Sequence, residues 1–266
     1  MAWWSVWWLA MSSASAEHCL VVDIGNTNAT CGIFRGSRLV EHSDVPTQDL
    51  LRQAAVVRRL ARDWAARRVE RVLVASVVPR ASRLLEQVLK RSQLPRPLLL
   101  GREIIAPVAN RYRFPQQVGQ DRLANAVGAL DRYGAPVIIV DCGTAITIDV
   151  VDRRRCYLGG LIMPGLDVSL WALASRTALL PLLKASAPQS FIGRETAGSM
   201  LSGVVYGAAA ACNGLVPRLA KRFARRPAVV VTGGSARLLR RHFEFSSRYE
   251  PFLSLFGIMK SYDHSR

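Results

Sequence analysis

Two stretches of the chain place a carboxylate beside glycine and threonine between apolar runs. The first, VVDIGNTNATCGIF (residues 21–34), brings Asp23 and Gly25 into a polar turn with Thr27 and Thr30. The second, IIVDCGTAITIDVV (residues 138–151), repeats the pattern with Asp141, Gly143, Thr144 and Thr147. Each reads as a strand, a tight turn and a departing strand. An aspartate there can simply accept backbone hydrogen bonds in an Asx-turn. Two such hairpins facing one another would instead hold a cation and a polyphosphate, with glycine admitting close backbone approach and the carboxylates offsetting the metal charge. For Asp23 alone the two readings stand level, and the recurrence at Asp141 adds weight to the second.

Two further segments carry chemistry-capable groups. In VANRYRFPQQVGQDRLANAVGALDRYGAP (residues 108–136), Gly119 precedes a helix expected to begin near Asp121 and to end near Gly134. Asp121 is placed to cap that helix, and Arg122 reads as an exposed helix residue. In AVVVTGGSARLLRRHF (residues 228–243) a buried strand runs into Gly233 and Gly234 and opens a helix. Backbone amides at such a helix start can approach an anion. The chain has neither a G-x-x-x-x-G-K-[ST] loop nor a G-x-G-x-x-G element, so phosphate binding would fall to the hairpins.

The elements that must position these groups follow from the pattern. After the first hairpin come a third strand, SRLVEHSDV, and an arginine-rich helix, LLRQAAVVRRLARDWAARR. Then follow the strand RVLVASVVP, ended by Pro79, the helix RASRLLEQVLKRSQ and the strand RPLLLG. Meandering strands followed by alternating helices and strands indicate an α/β domain. Asp23 and Asp141 stand 118 residues apart, close to half the ordered chain, which suggests a duplicated domain. The expected organisation is an N-terminal extension over residues 1–17, a first half over 18–130 and a second over 131–266. Gly203 and Gly207, one turn apart in AGSMLSGVVYGAAAACNGL, favour close approach of another backbone.

Composition sets bounds. The 266 residues are 50% hydrophobic and 21% charged, which marks a globular chain. The formal charge of +17 admits nucleotides, nucleic acid or headgroups as partners without choosing among them. In the arginine-rich helix Leu50, Ala54, Val57, Ala61 and Trp64 recur at helical spacing, and the arginines fall largely elsewhere, which reads as a solvated face. The five cysteines are scattered without a C-x-x-C pair, so neither a disulfide framework nor a zinc site is indicated, and a reducing cytoplasm fits. The opening MAWWSVWWLAMSSASA ends like a secretory signal. It lacks a basic n-region and its apolar run is too short to span a bilayer, so it reads as an extension, with Met11 an alternative start.

Taken together, DIGNTNAT, VASVVP, YRFPQQVGQDR, DCGTAITID, YLGGLIMPGL, TALLP, IGRETAGSMLSGVVYG and VTGGSA, in this order over residues 19–260, closely resemble the type III pantothenate kinases. That family is a branch of the acetate and sugar kinase, Hsp70 and actin superfamily. The resemblance implies an α/β fold of two duplicated ribonuclease-H-like (actin-like ATPase) domains with a cleft between them. It implies phosphorylation of pantothenate by ATP with Mg²⁺, the first step towards coenzyme A. Asp23, Ile24, Gly25, Asn26, Thr27, Asn28, Ala29 and Thr30 would form the first phosphate-binding element, with Thr144 a further ATP contact. Asp121 would be the proton acceptor; Tyr112, Gly119, Gln120, Asp121, Arg122 and Thr196 would contact pantothenate. Asp141 would bind a monovalent cation, K⁺ or NH₄⁺.

The physical chemistry is compatible with those roles. A carboxylate at a helix start is held rigidly, and the planar guanidinium of Arg122 suits the pantothenate carboxylate. Tyr112 as a packing aromatic and Thr196 as a helix cap are the plainer alternatives. The family also implies a homodimer, and the expected setting is the cytoplasm, with no membrane partner and nucleic acid a minority reading. The sequence departs from the family at the tryptophan-rich start and in the tail EFSSRYEPFLSLFGIMKSYDHSR, and neither departure is expected to touch the site. A non-catalytic regulatory or nucleic-acid-binding protein on the same fold is the alternative reading.

Overall fold

The computed structural model describes residues 18–266, so the expectations for the N-terminal extension lie outside the described residues. The chain divides into two compact units, which meet in sequence at Glu103 and Ile104.

The first unit opens with β1 (His18–Ile24), β2 (Asn28–Arg35) and β3 (Arg38–Pro46). It continues through α1 (Thr47–Arg52), α2 (Ala54–Ala66), β4 (Val69–Ser76), α3 (Pro79–Arg91) and β5 (Pro97–Leu99). Its sheet has the order β3-β2-β1-β4-β5. The first three strands form an antiparallel meander, and β4 and β5 run parallel to β1. Along β1, Leu20, Val22 and Ile24 join Val57, Leu60, Ala61 and Trp64 of α2 and Leu85, Val88 and Leu89 of α3 in one core. The arginine-rich segment forms two helices, because the chain leaves helical geometry at Gln53 (φ −118°, ψ 84°). Pro79 does not end a strand; it is the first residue of α3, where its missing N–H has no helical partner to lose.

The second unit comprises β6 (Ala109–Asn110), α4 (Gln120–Tyr133), β7 (Val137–Cys142), β8 (Ala145–Val151), β9 (Cys156–Pro164), α5 (Leu166–Arg176), α6 (Thr196–Ala220), β10 (Ala228–Thr232), α7 (Ala236–Leu239), β11 (Arg248–Tyr249) and α8 (Leu253–His264). The sheet order is β11-β10-β7-β8-β9-β6. β7, β8 and β9 are antiparallel neighbours, while β10 and β11 run parallel to β7. The run β9-β8-β7-β10-β11 therefore reproduces β3-β2-β1-β4-β5 in order and direction, and β6 is added at the far edge. Duplication is visible in the topology. Residues 104–130, expected in the first half, belong to the second unit, because α4 packs on β7, β8 and α8.

β7 is buried on both faces, as its unbroken apolar run requires. Ile138, Val140 and Cys142 meet Val205, Ala209, Cys212 and Val216 of α6. α6 is long and apolar enough to cross a membrane by length and composition, yet this face of it is packed on the sheet core. All five cysteines are buried and free.

α8 crosses α4 at two glycines. A Cβ on Gly257 would stand 1.7 Å from the Ala124 carbonyl oxygen, and one on Gly128 would stand 2.7 Å from that of Leu253. Arg132 stacks over the Phe256 ring at 3.9 Å, and Glu250 takes hydrogen bonds from Arg132 and the Tyr133 hydroxyl. The tail thus packs on the helix that carries Asp121 and Arg122, along its stretch from Ala124 to Tyr133. Gly257→Ala is expected to lower the free energy of unfolding by about 1–3 kcal/mol or more, since the contact is with backbone that cannot yield. Urea denaturation checks this, and an unchanged midpoint would refute the close crossing.

Candidate active site

In the first unit the turn between β1 and β2 is held from within and from outside. The Gly25 amide donates to the Asn28 carbonyl at 2.9 Å. Thr47, 1% exposed at the start of α1, donates its hydroxyl to the Gly25 carbonyl at 2.7 Å and its amide to the Thr27 carbonyl at 2.8 Å. Ile24 and Ala29 are buried, whereas Asn26, Thr27 and Asn28 are exposed. Asp23 pairs in register with Thr30, whose hydroxyl donates to Asp44 of β3 at 2.6 Å. The loop thus presents backbone and the polar side chains of residues 26–28, and Thr47 acts as its clasp. No motif marked Thr47 in the sequence; its clue is a threonine directly after Pro46 at a helix start.

The second hairpin repeats this register, with Asp141 opposite Thr147. The Gly143 amide closes the turn on the Ala145 carbonyl at 3.1 Å, and Thr144 is exposed at its tip. Asp141 Oδ2 accepts a hydrogen bond from Asn125 Nδ2 of α4 at 2.9 Å. Asn125 is 1% exposed, and its Oδ1 is buried without a hydrogen-bond partner. Gly233 passes behind Asp141 at φ +94°, and a Cβ there would stand 2.4 Å from Asp141 Oδ1. Only glycine serves at that crossing. At the Gly233-Gly234 helix start two backbone amides are already engaged within the chain. α7 is a single turn, and the amides of Ser235 and Ala236 are taken by the carbonyls of Cys142 and Gly233.

α4 begins at Gln120 with Gly119 as its N-cap, so Asp121 lies in the first turn and is not the cap. Its Oδ1 accepts from the Arg122 amide at 2.8 Å. Burial and the neighbouring Asp149 charge raise its pKa above the usual aspartate value, outweighing that hydrogen bond and the Arg122 charge.

Arg122 is not the exposed helix residue that its type suggests. It is 9% exposed and reaches Asp149 of β8, itself without exposed surface. Nε lies 3.0 Å and Nη2 2.5 Å from Asp149 Oδ1, and the same carboxylate accepts from the Tyr157 hydroxyl at 2.6 Å and from Thr147 at 3.1 Å. Burial opposes the guanidinium charge, but the hydrogen bonds and charge of Asp149 hold its pKa above the ordinary value. Such pairs resist dissection: removing one partner leaves a buried charge and costs about 3–5 kcal/mol. Tyr112 joins the group by packing its ring on Gly159, where a Cβ would stand 3.0 Å away.

The second unit therefore brings Tyr112, Asp121 and Arg122 together, with Gly119 and Gln120 at the same helix start. Asn125 ties this helix to Asp141. Thr196 is the first residue of α6 rather than its cap, and lines an open pocket of about 650 Å³ with Leu173, Leu180, Gly193, Arg194, Glu195, Ser199 and Met200. Residues 23–30 belong to the other unit. Asn125 and Asp149 escaped the sequence reading. Asp149 had left a signal, an acid within an apolar strand, which must be paired when buried.

The sequence model of one family, type III pantothenate kinase, matches residues 19–218. The chain belongs to this family. A relative from Bacillus cytotoxicus named type III pantothenate kinase is 33% identical over 250 residues, covering 92% of this chain and 95% of that protein. Among solved structures, ethanolamine utilization protein EutJ from Carboxydothermus hydrogenoformans gives a TM-score of 0.52 at 16% identity, over 91% of this chain and 88% of that one. Component A of (R)-2-hydroxyglutaryl-CoA dehydratase from Acidaminococcus fermentans gives 0.52 at 15% identity, over 94% and 99%. At such identities the likeness speaks for the fold alone. The fold is α/β with two ribonuclease-H-like halves of the actin-like ATPase type.

For this family member, Gly233→Ala should displace the Asp141 carboxylate and reduce ATP-dependent turnover on the order of 10²-fold, the cost of a misplaced group. Wild-type kinetics in the variant would show that Asp141 needs no such confinement.

Proposed function

We propose that this chain transfers the γ-phosphoryl group of ATP to the primary hydroxyl of pantothenate, giving 4′-phosphopantothenate, with Asp121 as the proton acceptor. Family membership carries the reaction. The observation that carries the residue assignment is the grouping of Asp121, Arg122 and Tyr112 at the start of α4. In phosphoryl transfer with a loose transition state, a base chiefly orients the alcohol and takes its proton late. Asp121 suits that task because its carboxylate is fixed on the helix amide and partly withdrawn from water. Arg122 offers the pantothenate carboxylate a guanidinium already held in one orientation, and Tyr112 and Thr196 are further substrate contacts.

The exposed turn of residues 26–28 and Thr144 are the phosphate-binding elements. Mg²⁺ bound with ATP would neutralise charge on the phosphates. Asp141 is the ligand for a monovalent cation, K⁺ or NH₄⁺. The donor set fits: the Asp141 carboxylate is joined to the Asn125 amide, whose own oxygen is buried without a hydrogen-bond donor. Hard oxygen donors of this kind suit such ions. The free, buried cysteines suit a reducing cytoplasm.

The protein acts as a homodimer. Gly203, Gly207, Ala210 and Gly214 line an exposed face of α6, and space is open above all three glycines. Leu179, Leu182, Phe191 and Ile192 are each more than 70% exposed, and the Phe191 ring packs on Tyr206 of α6, giving apolar surface that a second copy would cover.

Purified protein with ATP and Mg²⁺ should phosphorylate pantothenate in potassium and lose most turnover when sodium replaces it. Turnover indifferent to the ion would remove the cation role from Asp141, and none in either ion would remove the kinase reading. Asp121→Asn should lower kcat by about 10²–10⁴-fold while leaving the circular dichroism spectrum unchanged. Because the base works deprotonated and its pKa is raised, wild-type kcat/KM should fall on acidification at a pH above the ordinary aspartate range. An acid limb at or below that range would detach Asp121 from the profile.

A further inference from the structure

The geometry points to Asp149 as the positioning residue that sets pantothenate recognition, acting through Arg122 without touching the substrate. The inference rests on the reading of Arg122 as the carboxylate-binding group.

Asp149 has no exposed surface and stands within β8 between Ile148 and Val150, themselves buried. A carboxylate there survives only if it is fully paired. Arg122 supplies Nε and Nη2, Tyr157 its hydroxyl and Thr147 its hydroxyl. The three partners come from α4, β9 and β8, so all three elements must be in place for the carboxylate to be satisfied.

The mode of contact matters more than the pairing. Asp149 grips the guanidinium along its Nε–Nη2 edge, which leaves Nη1 outside the clamp. A bidentate grip fixes the plane of the fork, so the remaining donors have one direction in which to point. The ring of Tyr157 lies 5.8 Å from the guanidinium carbon, and Tyr112 is packed against Gly159, two residues along the same strand. Arg122 also follows Asp121 directly, and its amide is the donor to that carboxylate. One buried acid thereby fixes the residue that would bind one end of the substrate and, through the same backbone, the residue that would face the other.

A role through Arg122 differs from a purely structural one in its coupling. The wild type, Asp149→Asn, Arg122→Ala and the double variant are compared at saturating ATP with pantothenate varied, and then with ATP varied. Asp149→Asn is expected to raise the pantothenate KM by about tenfold or more, the usual effect of losing a charge-assisted bond, and to leave the ATP KM unchanged. In the Arg122→Ala background it should add no further increase. A folded Asp149→Asn protein with wild-type pantothenate KM, or effects that multiply in the double variant, would overturn the inference.

If Asp149→Asn does not fold, Tyr157→Phe and Thr147→Val each remove one hydrogen bond to Asp149 and keep the ion pair. They should raise the pantothenate KM by about two- to fivefold, again only while Arg122 is present. Folded variants that leave KM unmoved overturn the proposal equally. Failure of the wild type to phosphorylate pantothenate overturns the underlying reading, and this inference with it.

Discussion

The charge of Asp149 has to be neutralised inside a sheet, and much of the second unit is arranged to do so. A buried carboxylate left unpaired would cost more than most single interactions return. Its guanidinium partner comes from the first turn of α4, which fixes where that helix starts and how it is rotated about its own axis. Rotation then decides the rest. Asp121 precedes Arg122 by one residue, and Asn125 follows Asp121 by one turn, so both fall on the side of the helix that meets the sheet. Asn125 reaches Asp141 on β7, while Arg122 reaches β8. Asp141, Thr147 and Asp149 share one sheet face through strand alternation and register. The chemistry-bearing groups are set by two side-chain ties and the period of a β-strand.

The two units show how a duplicated frame is put to different uses. Both present an aspartate near the end of the central strand, opposite a threonine on the next. In the first unit the turn beyond it is clasped by Thr47, and the register threonine is occupied by Asp44. In the second, the aspartate is tied by Asn125 and confined by Gly233, and a second acid enters the neighbouring strand. Identical topology therefore leaves the exposed groups of one turn, and the oriented carboxylates of the other, as separate products of local pairing.

The hairpins were legible because alternation and Asp-Gly-Thr turns are local signals, and the parallel strands because their apolar runs are unbroken. Pairings across the sheet were not. Arg122 reads as a surface residue until the register places Asp149 beneath it, 27 positions along the chain. The break at Gln53 carries neither glycine nor proline, so nothing in the sequence separated α1 from α2. Glycine spacing pointed to close backbone approach at Gly203 and Gly207, yet within the chain the space above both is open. The close approach occurs at Gly128 and Gly257, each a lone glycine in its helix. Periodicity signals a helical face; it does not say which other backbone will meet it.

That last difference changes the meaning of the divergent tail. α4 is tied at its beginning to β7 and β8 and at its end to Glu250, which holds Arg132 and Tyr133. Between these ends α8 lies against it with carbonyl oxygens filling the places where side chains would be. A helix restrained only at its first turn could pivot about Asp149, and Asp121 would move with it. The contacts with α8 and Glu250 remove that freedom. The crossing itself rests on one missing side chain in the tail, Gly257, one in α4, Gly128, and the acid Glu250. Those few positions connect the end of the chain to the precision of a carboxylate more than a hundred residues earlier in the sequence.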